Sequence, residues 1–169
     1  MSIFPSASSE VQSDEWKFSS IGGWLIVIAI GLCISPLVQI GFIVANLIPI
    51  FTKGAWSVLT TPGSPAYHRL WAPMIMLELF MNLAFIVMEA ILLFWLFKRS
   101  HRFPKVMIGY LFVVFFLVAF DYFMAQAIPV VAAQDNVDSR VTLIRAGVVC
   151  AIWVPYLLRS KRVKGTFTN

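Results

Sequence analysis

From Phe18 to Thr52 the chain carries no charged side chain. A helix of that whole run would be roughly 50 Å long, against a hydrocarbon core of about 30 Å. The run therefore has to tilt, kink or shed a turn, and Pro36 and Pro49 are the places where backbone hydrogen bonds are already forfeited. A first membrane span is expected at about Gly22 to Ile48. Composition agrees: 12% of the residues are charged and 60% are hydrophobic, about half the charge that a water-facing surface carries. The size allows one domain of a few spans and leaves no room for a separate soluble module.

The breakers Gly54, Pro62, Gly63, Ser64 and Pro65 mark a loop between Lys53 and Arg69. A second span follows at about Ala72 to Phe97 and holds Glu78 and Glu89. The basic turn of Lys98, Arg99, His101, Arg102 and Lys105 contains Pro104 and leads into a third span, Val106 to about Ala127, with Asp121 inside it and Pro129 just past its end. Asp135 and Asp138 are candidate caps for a fourth span, about Arg140 to Leu158, which Arg140 and Arg145 interrupt. The expected fold is an all-α integral membrane protein of four transmembrane helices. Residues 1–20 form a polar N-terminal segment without the basic and apolar regions of a signal peptide, 21–158 the membrane domain, and 159–169 a basic tail.

Orientation follows from Lys and Arg. One side collects nine: Lys17, Lys98, Arg99, Arg102, Lys105, Arg159, Lys161, Arg162 and Lys164. The other collects four: Lys53, Arg69, Arg140 and Arg145. Positive residues stay inside, so both termini are expected in the cytoplasm. Trp16, Trp24, Trp95, Trp153 and Tyr156 then form the inner aromatic belt, and Trp56 and Trp71 the outer one. The net charge of +5 is accounted for by these flanks and by contact with anionic lipid. Nucleic-acid binding is not expected, because no basic stretch is long enough to line a groove.

Several stretches resemble a known pattern: Gly22-Gly23-Trp24-Leu25 at the start of the first span, Arg102-Phe103-Pro104 before the third, Asp121-Tyr122 within it, and Trp153-x-Pro155-Tyr156-x-x-x-Ser160-x-Arg162-Val163-x-x-Thr166-Phe167 at the end. Over nearly everything from Ile21 to Phe167 the sequence resembles a bacterial inner-membrane family, the domain of unknown function 2569. The resemblance implies a four-helix protein of the bacterial cytoplasmic membrane. It implies no activity.

Ionisable groups at bilayer depth are costly and are usually paired or cavity-facing. With about 1.5 Å of rise per residue from the inner helix ends, Arg145 lies about 20 Å up the fourth span and Asp121 about 23 Å up the third. A pair between them is expected. Glu78 and Arg140, at about 27 to 29 Å, make a second expected pair at the outer boundary, whereas Glu89, at about 12 Å, has no basic residue at its level. Glu89, Asp121 and Arg145 are thus the candidate polar cluster, with Glu89 expected to hydrogen-bond a neighbour such as Gln39 or Asn82. Gly147 and Ala151 offer a small face for close helix packing.

No signature of an enzyme is present. His68 and His101 fall on opposite sides, Cys33 and Cys150 have no ligand spacing and no disulfide expectation, and the chain lacks a nucleophile elbow, a Walker loop, a dinucleotide fingerprint and H-E-x-x-H. No cofactor is expected. Two functions compete: the leading one is a non-catalytic accessory or regulatory protein that binds a membrane partner, and the alternative is a small carrier or lipid-binding protein with Glu89, Asp121 and Arg145 around a polar cavity. Membrane lipids, a partner membrane protein and a second copy are the expected contacts. An open cavity would favour the carrier reading, and a dry bundle the accessory one.

Overall fold

A computed structural model describes residues 22–133 and 137–167. Residues 1–20 and Asp135, with the expectations attached to them, lie outside the described residues. Four helices are long and apolar enough to cross a membrane: α1 (Trp24–Thr52), α3 (Trp71–Phe97), α4 (Arg102–Gln126) and α6 (Val137–Arg159). Three short helices complete the fold, α2 (Ala55–Thr60), α5 (Pro129–Ala132) and α7 (Lys161–Thr166). The all-α membrane architecture read from the sequence is the one observed.

Proline chemistry sets the details of α1. The helix continues unbroken past Pro36, but widens to a π turn at Ile43–Leu47 immediately before Pro49. Pro49 has no N–H for the carbonyl four residues back, and its ring would collide with it. An extra residue in the turn removes the clash, with the Ile48 N–H reaching back to the Ile43 carbonyl.

Four boundaries differ from the sequence reading. α1 runs to Thr52, a turn past the expected Ile48. The 53–69 connection contains α2 between Gly54 and Pro62, because the six residues from Ala55 to Thr60 hold no breaker. α4 starts at Arg102, one turn before the expected Val106, with Pro104 in its first turn, where a missing N–H costs nothing. α6 likewise starts a turn early, at Val137, and places Asp138 in the first turn, where a carboxylate favours the helix dipole.

The bundle is packed at one end and loose at the other. α1 and α4 begin, and α3 and α6 end, at a common base. All of the main buried cluster lies towards that base: Leu25, Ile28 and Leu32 of α1, Leu92 and Leu96 of α3, Phe103, Met107 and Leu111 of α4, Leu157 of α6, and Val163 and Phe167 beyond it. The spacing of three or four residues along each helix keeps each set on one face. Above the base, α4 packs closely on α6, α1 on α3 and α3 on α4, whereas α1 and α6 barely meet. Their aromatic contact is near the base, where Trp24 and Trp153 stand edge to face at 6.1 Å.

Outward-facing positions are apolar: Phe116 is 63% exposed and Leu37 is 68% exposed. A surface of this kind needs lipid as its solvent.

The segment expected as a basic tail is not a free tail. Ser160 caps α7, its hydroxyl accepting from the Val163 N–H at 3.4 Å, and Val163, Thr166 and Phe167 turn back into the base. Phe167 stacks on Phe103 at 4.8 Å. Arg162 lies against Gly23, where an added Cβ would sit 3.0 Å from its Nη1. Gly23 also holds φ at +59°, which other residues adopt at a cost. Most of the residues that carry the family resemblance therefore form one structure, the seal of the base.

Candidate functional site

Glu89 is the buried carboxyl of the bundle, 2% exposed. Its partners come from both neighbouring helices. Ser35 Oγ donates to Oε1 at 2.7 Å, Gln39 Nε2 donates to Oε2 at 2.9 Å, and the Tyr110 hydroxyl donates to Oε1 at 2.5 Å. Ser35 and Gln39 are four residues apart and so share one face of α1. Gln39 Nε2 also donates to Ser35 Oγ at 3.0 Å, which closes a triangle. Phe85, one turn before Glu89 on α3, meets the Tyr110 ring edge-on at 5.7 Å and holds it in place. Three donors thus engage both oxygens of the buried carboxyl.

Above this cluster the loose end of the bundle encloses a cavity of about 650 Å³, lined by all four long helices. Ser35, Gln39 and Tyr110 are part of its wall, so Glu89 stands directly behind them. From Tyr110 to Asp121, both in the wall, α4 rises about 16 Å. The middle of the wall is mainly apolar, with Phe85, Val114, Leu117 and Val118 beside Asn82, and its far part carries Glu78, Asp121 and Asp138.

The expected pairs are replaced by another arrangement. Glu78 and Asp121 share the cavity and lie close enough to act on one another electrostatically. Arg140 and Arg145 do not line it. No ion pair joins Asp121 to Arg145 among the described residues. The reason is rotational. Gly147 faces α4, its Cβ position 3.4 Å from Phe115, and Arg145, two residues earlier, is turned about 200° from it. The heights differ as well: with α4 starting at Arg102, Asp121 lies about 28 Å up its helix and Arg145 about 21 Å up α6, and Arg145 occupies an exposed flank of α6 facing away from the helix that bears Asp121.

The candidate cluster thus divides: Glu89 is in the hydrogen-bonded floor, Asp121 in the wall, Arg145 outside. Gln39 is the neighbour foreseen for Glu89, whereas Asn82 donates to the Glu78 carbonyl oxygen at 2.8 Å. Ser35 and Tyr110 were missed. Their signal is present in retrospect, since Tyr110 lies eight residues into α4 and Glu89 nine residues before Lys98, which puts them at one level on adjacent antiparallel helices. Among the described residues no group of three or more His, Cys, Asp or Glu side chains is gathered as a metal site.

Fold and site together define a multi-pass membrane protein that keeps a mainly apolar cavity with polar ends inside an apolar four-helix bundle. The family model for the protein of unknown function DUF2569 matches residues 18–168, and the chain belongs to that family. Comparison with curated proteins and with solved structures gives no match.

Proposed function

We propose that this protein is a small carrier or binding protein of a bacterial cytoplasmic membrane. It acts without catalysis, holding a small amphipathic molecule in the cavity above Glu89. The observation that carries this reading is the cavity itself: about 650 Å³, apolar at its middle and polar at both ends. Ligand sites commonly have 300 to 1,000 Å³ with a few placed polar groups on apolar walls. The side on which α1 and α6 barely meet gives a route from the bilayer, so membrane lipids are the first partners, and a second copy of the chain could supply the missing wall. The positive-inside count supports cytoplasmic termini, an orientation in which the acidic part of the cavity faces outwards. The accessory role, with a membrane protein as partner, rests on small size and short loops and is the second reading.

Native mass spectrometry of the protein extracted in mild detergent, compared with Leu117→Trp, tests the reading. The indole fills the cavity from a wall that is already apolar. Wild-type protein is expected to carry a bound small molecule or lipid that the variant lacks at equal folded yield. Identical ligand-free spectra for both would overturn the proposal.

A further inference from the structure

The hydrogen-bonding groups that the cavity leaves unused decide what it can hold. Many of its donors are committed, but among the described residues the Tyr122 and Ser139 hydroxyls, in the acidic part of the wall, are not. Ser35, Gln39 and Tyr110 donate to Glu89, Asn82 to the Glu78 carbonyl oxygen, and the Thr142 hydroxyl to the Asp138 carbonyl oxygen at 2.9 Å. The acceptors are not committed. The amide oxygen of Gln39 is completely buried and has no hydrogen-bond partner. Among the described residues neither the Glu78 nor the Asp121 carboxyl receives a hydrogen bond or an ion pair. No Lys, Arg or His lines the cavity, and Asp138 adds a third carboxyl.

Unpartnered carboxyls at membrane depth are costly. That cost falls when a donor or a positive charge enters. An anion meets the opposite, a wall of like charge with few free donors. The apolar stretch between the floor and the carboxyls is a poor fit for a small inorganic ion with its hydration shell and suits a hydrocarbon body.

We propose that the cavity selects a positively charged amphiphile, an organic ammonium or phosphonium centre on an apolar body. Its charge lies between Glu78 and Asp121, and its body lies against Phe85, Val114, Leu117 and Val118. This inference rests on the ligand-cavity reading and adds the charge of the ligand to it. The same chemistry is available from two sources, the headgroup of an aminophospholipid and a free lipophilic cation.

The test is equilibrium dialysis on the purified protein in an uncharged maltoside detergent. The probes are tetraphenylphosphonium, its anionic isostere tetraphenylborate, and the neutral amphiphile N-phenyl-1-naphthylamine. Saturable binding of the phosphonium is expected, at least tenfold tighter than of the borate. The double change Glu78→Gln with Asp121→Asn should weaken phosphonium binding at least tenfold and leave the neutral probe unchanged. Leu117→Trp should weaken both. Displacement of the phosphonium by a short-chain phosphatidylethanolamine assigns the charge to a lipid headgroup, and displacement by tetrabutylammonium alone assigns it to a free cation.

Equal affinity for cation and borate, or indifference of the cation to the double change, overturns the charge inference. If Leu117→Trp still blocks the neutral probe in that case, the cavity reading stands without it. If Leu117→Trp leaves every probe unaffected, both readings fall.

Discussion

Glu89 shows why a carboxyl can sit 2% exposed in a bundle with no basic residue at its depth. Two helices supply three donors, and the group is satisfied by hydrogen bonds where a counter-ion was the usual expectation. The arrangement also fixes α3 against α1 and α4. Removing the acceptor is therefore worse than neutralising it. Glu89→Leu should lower stability in detergent by about 2 to 3 kcal/mol, since Ser35, Gln39 and Tyr110 are left with buried, unused donors. Glu89→Gln should cost about 1 kcal/mol, because Oε1 keeps its two partners and the Gln39 amide can turn its free oxygen towards the new donor. Adding Tyr110→Phe to Glu89→Leu should recover part of the loss by deleting one orphaned hydroxyl. Thermal or denaturant unfolding of these proteins and of Tyr110→Phe alone measures this, and strictly additive losses would show that the cluster is not coupled. Sequence reasoning found Glu89 and Gln39 because charge and amide stand out in an apolar run. It missed Ser35 and Tyr110 because a serine and a tyrosine do not stand out in such a run, and the equal level of Tyr110 and Glu89 does not show that they face one another until the helices are docked.

Among the elements, α7 has the largest effect for its length. Six residues that composition alone assigns to a solvated basic tail instead close the base, since Val163, Thr166 and Phe167 share an apolar side while Lys161 and Lys164 face out. Phe167→Ala removes the stack on Phe103 and should cost about 3 kcal/mol in thermal unfolding. Phe116→Ala, on a side chain 63% exposed to lipid, should change stability by less than about 0.5 kcal/mol. Equal effects would mean that the base is not a packed core. The long helices were legible to within a turn because lipid imposes apolar runs of a minimum length. What was not legible is rotation about their axes. A depth count uses only the rise per residue, so it placed Arg145 level with Asp121 and could not show that Gly147, two residues on, turns towards α4 and takes Arg145 to the far flank.

For the whole molecule, the four helices make a closed base and an open upper half. The division follows from where the large apolar side chains are. Leu, Phe and Met fill the faces near the base, whereas the same faces higher up carry Gln39, Glu78, Asp121 and Thr142, side chains that do not pack into a dry core. That pattern of polar residues within the spans could be read from the sequence. Whether they would collapse into pairs or hold a space open was decided by the docking of α6, which sequence does not give.

The most direct measurement is thiol labelling of spheroplasts with an impermeant, water-soluble maleimide, using single cysteines in a background of Cys33→Ser and Cys150→Ala. Alkylation requires water at the thiol, so it reads access to the cavity as well as the side of the membrane. Leu117→Cys, in the cavity wall, and Gly63→Cys, in the loop after α2, should react from outside. Leu111→Cys, two turns nearer the base on the same helix, and His101→Cys should not. Silence at Leu117→Cys with reaction at Gly63→Cys would contradict an open cavity, and reaction at His101→Cys in place of Gly63→Cys would reverse the orientation.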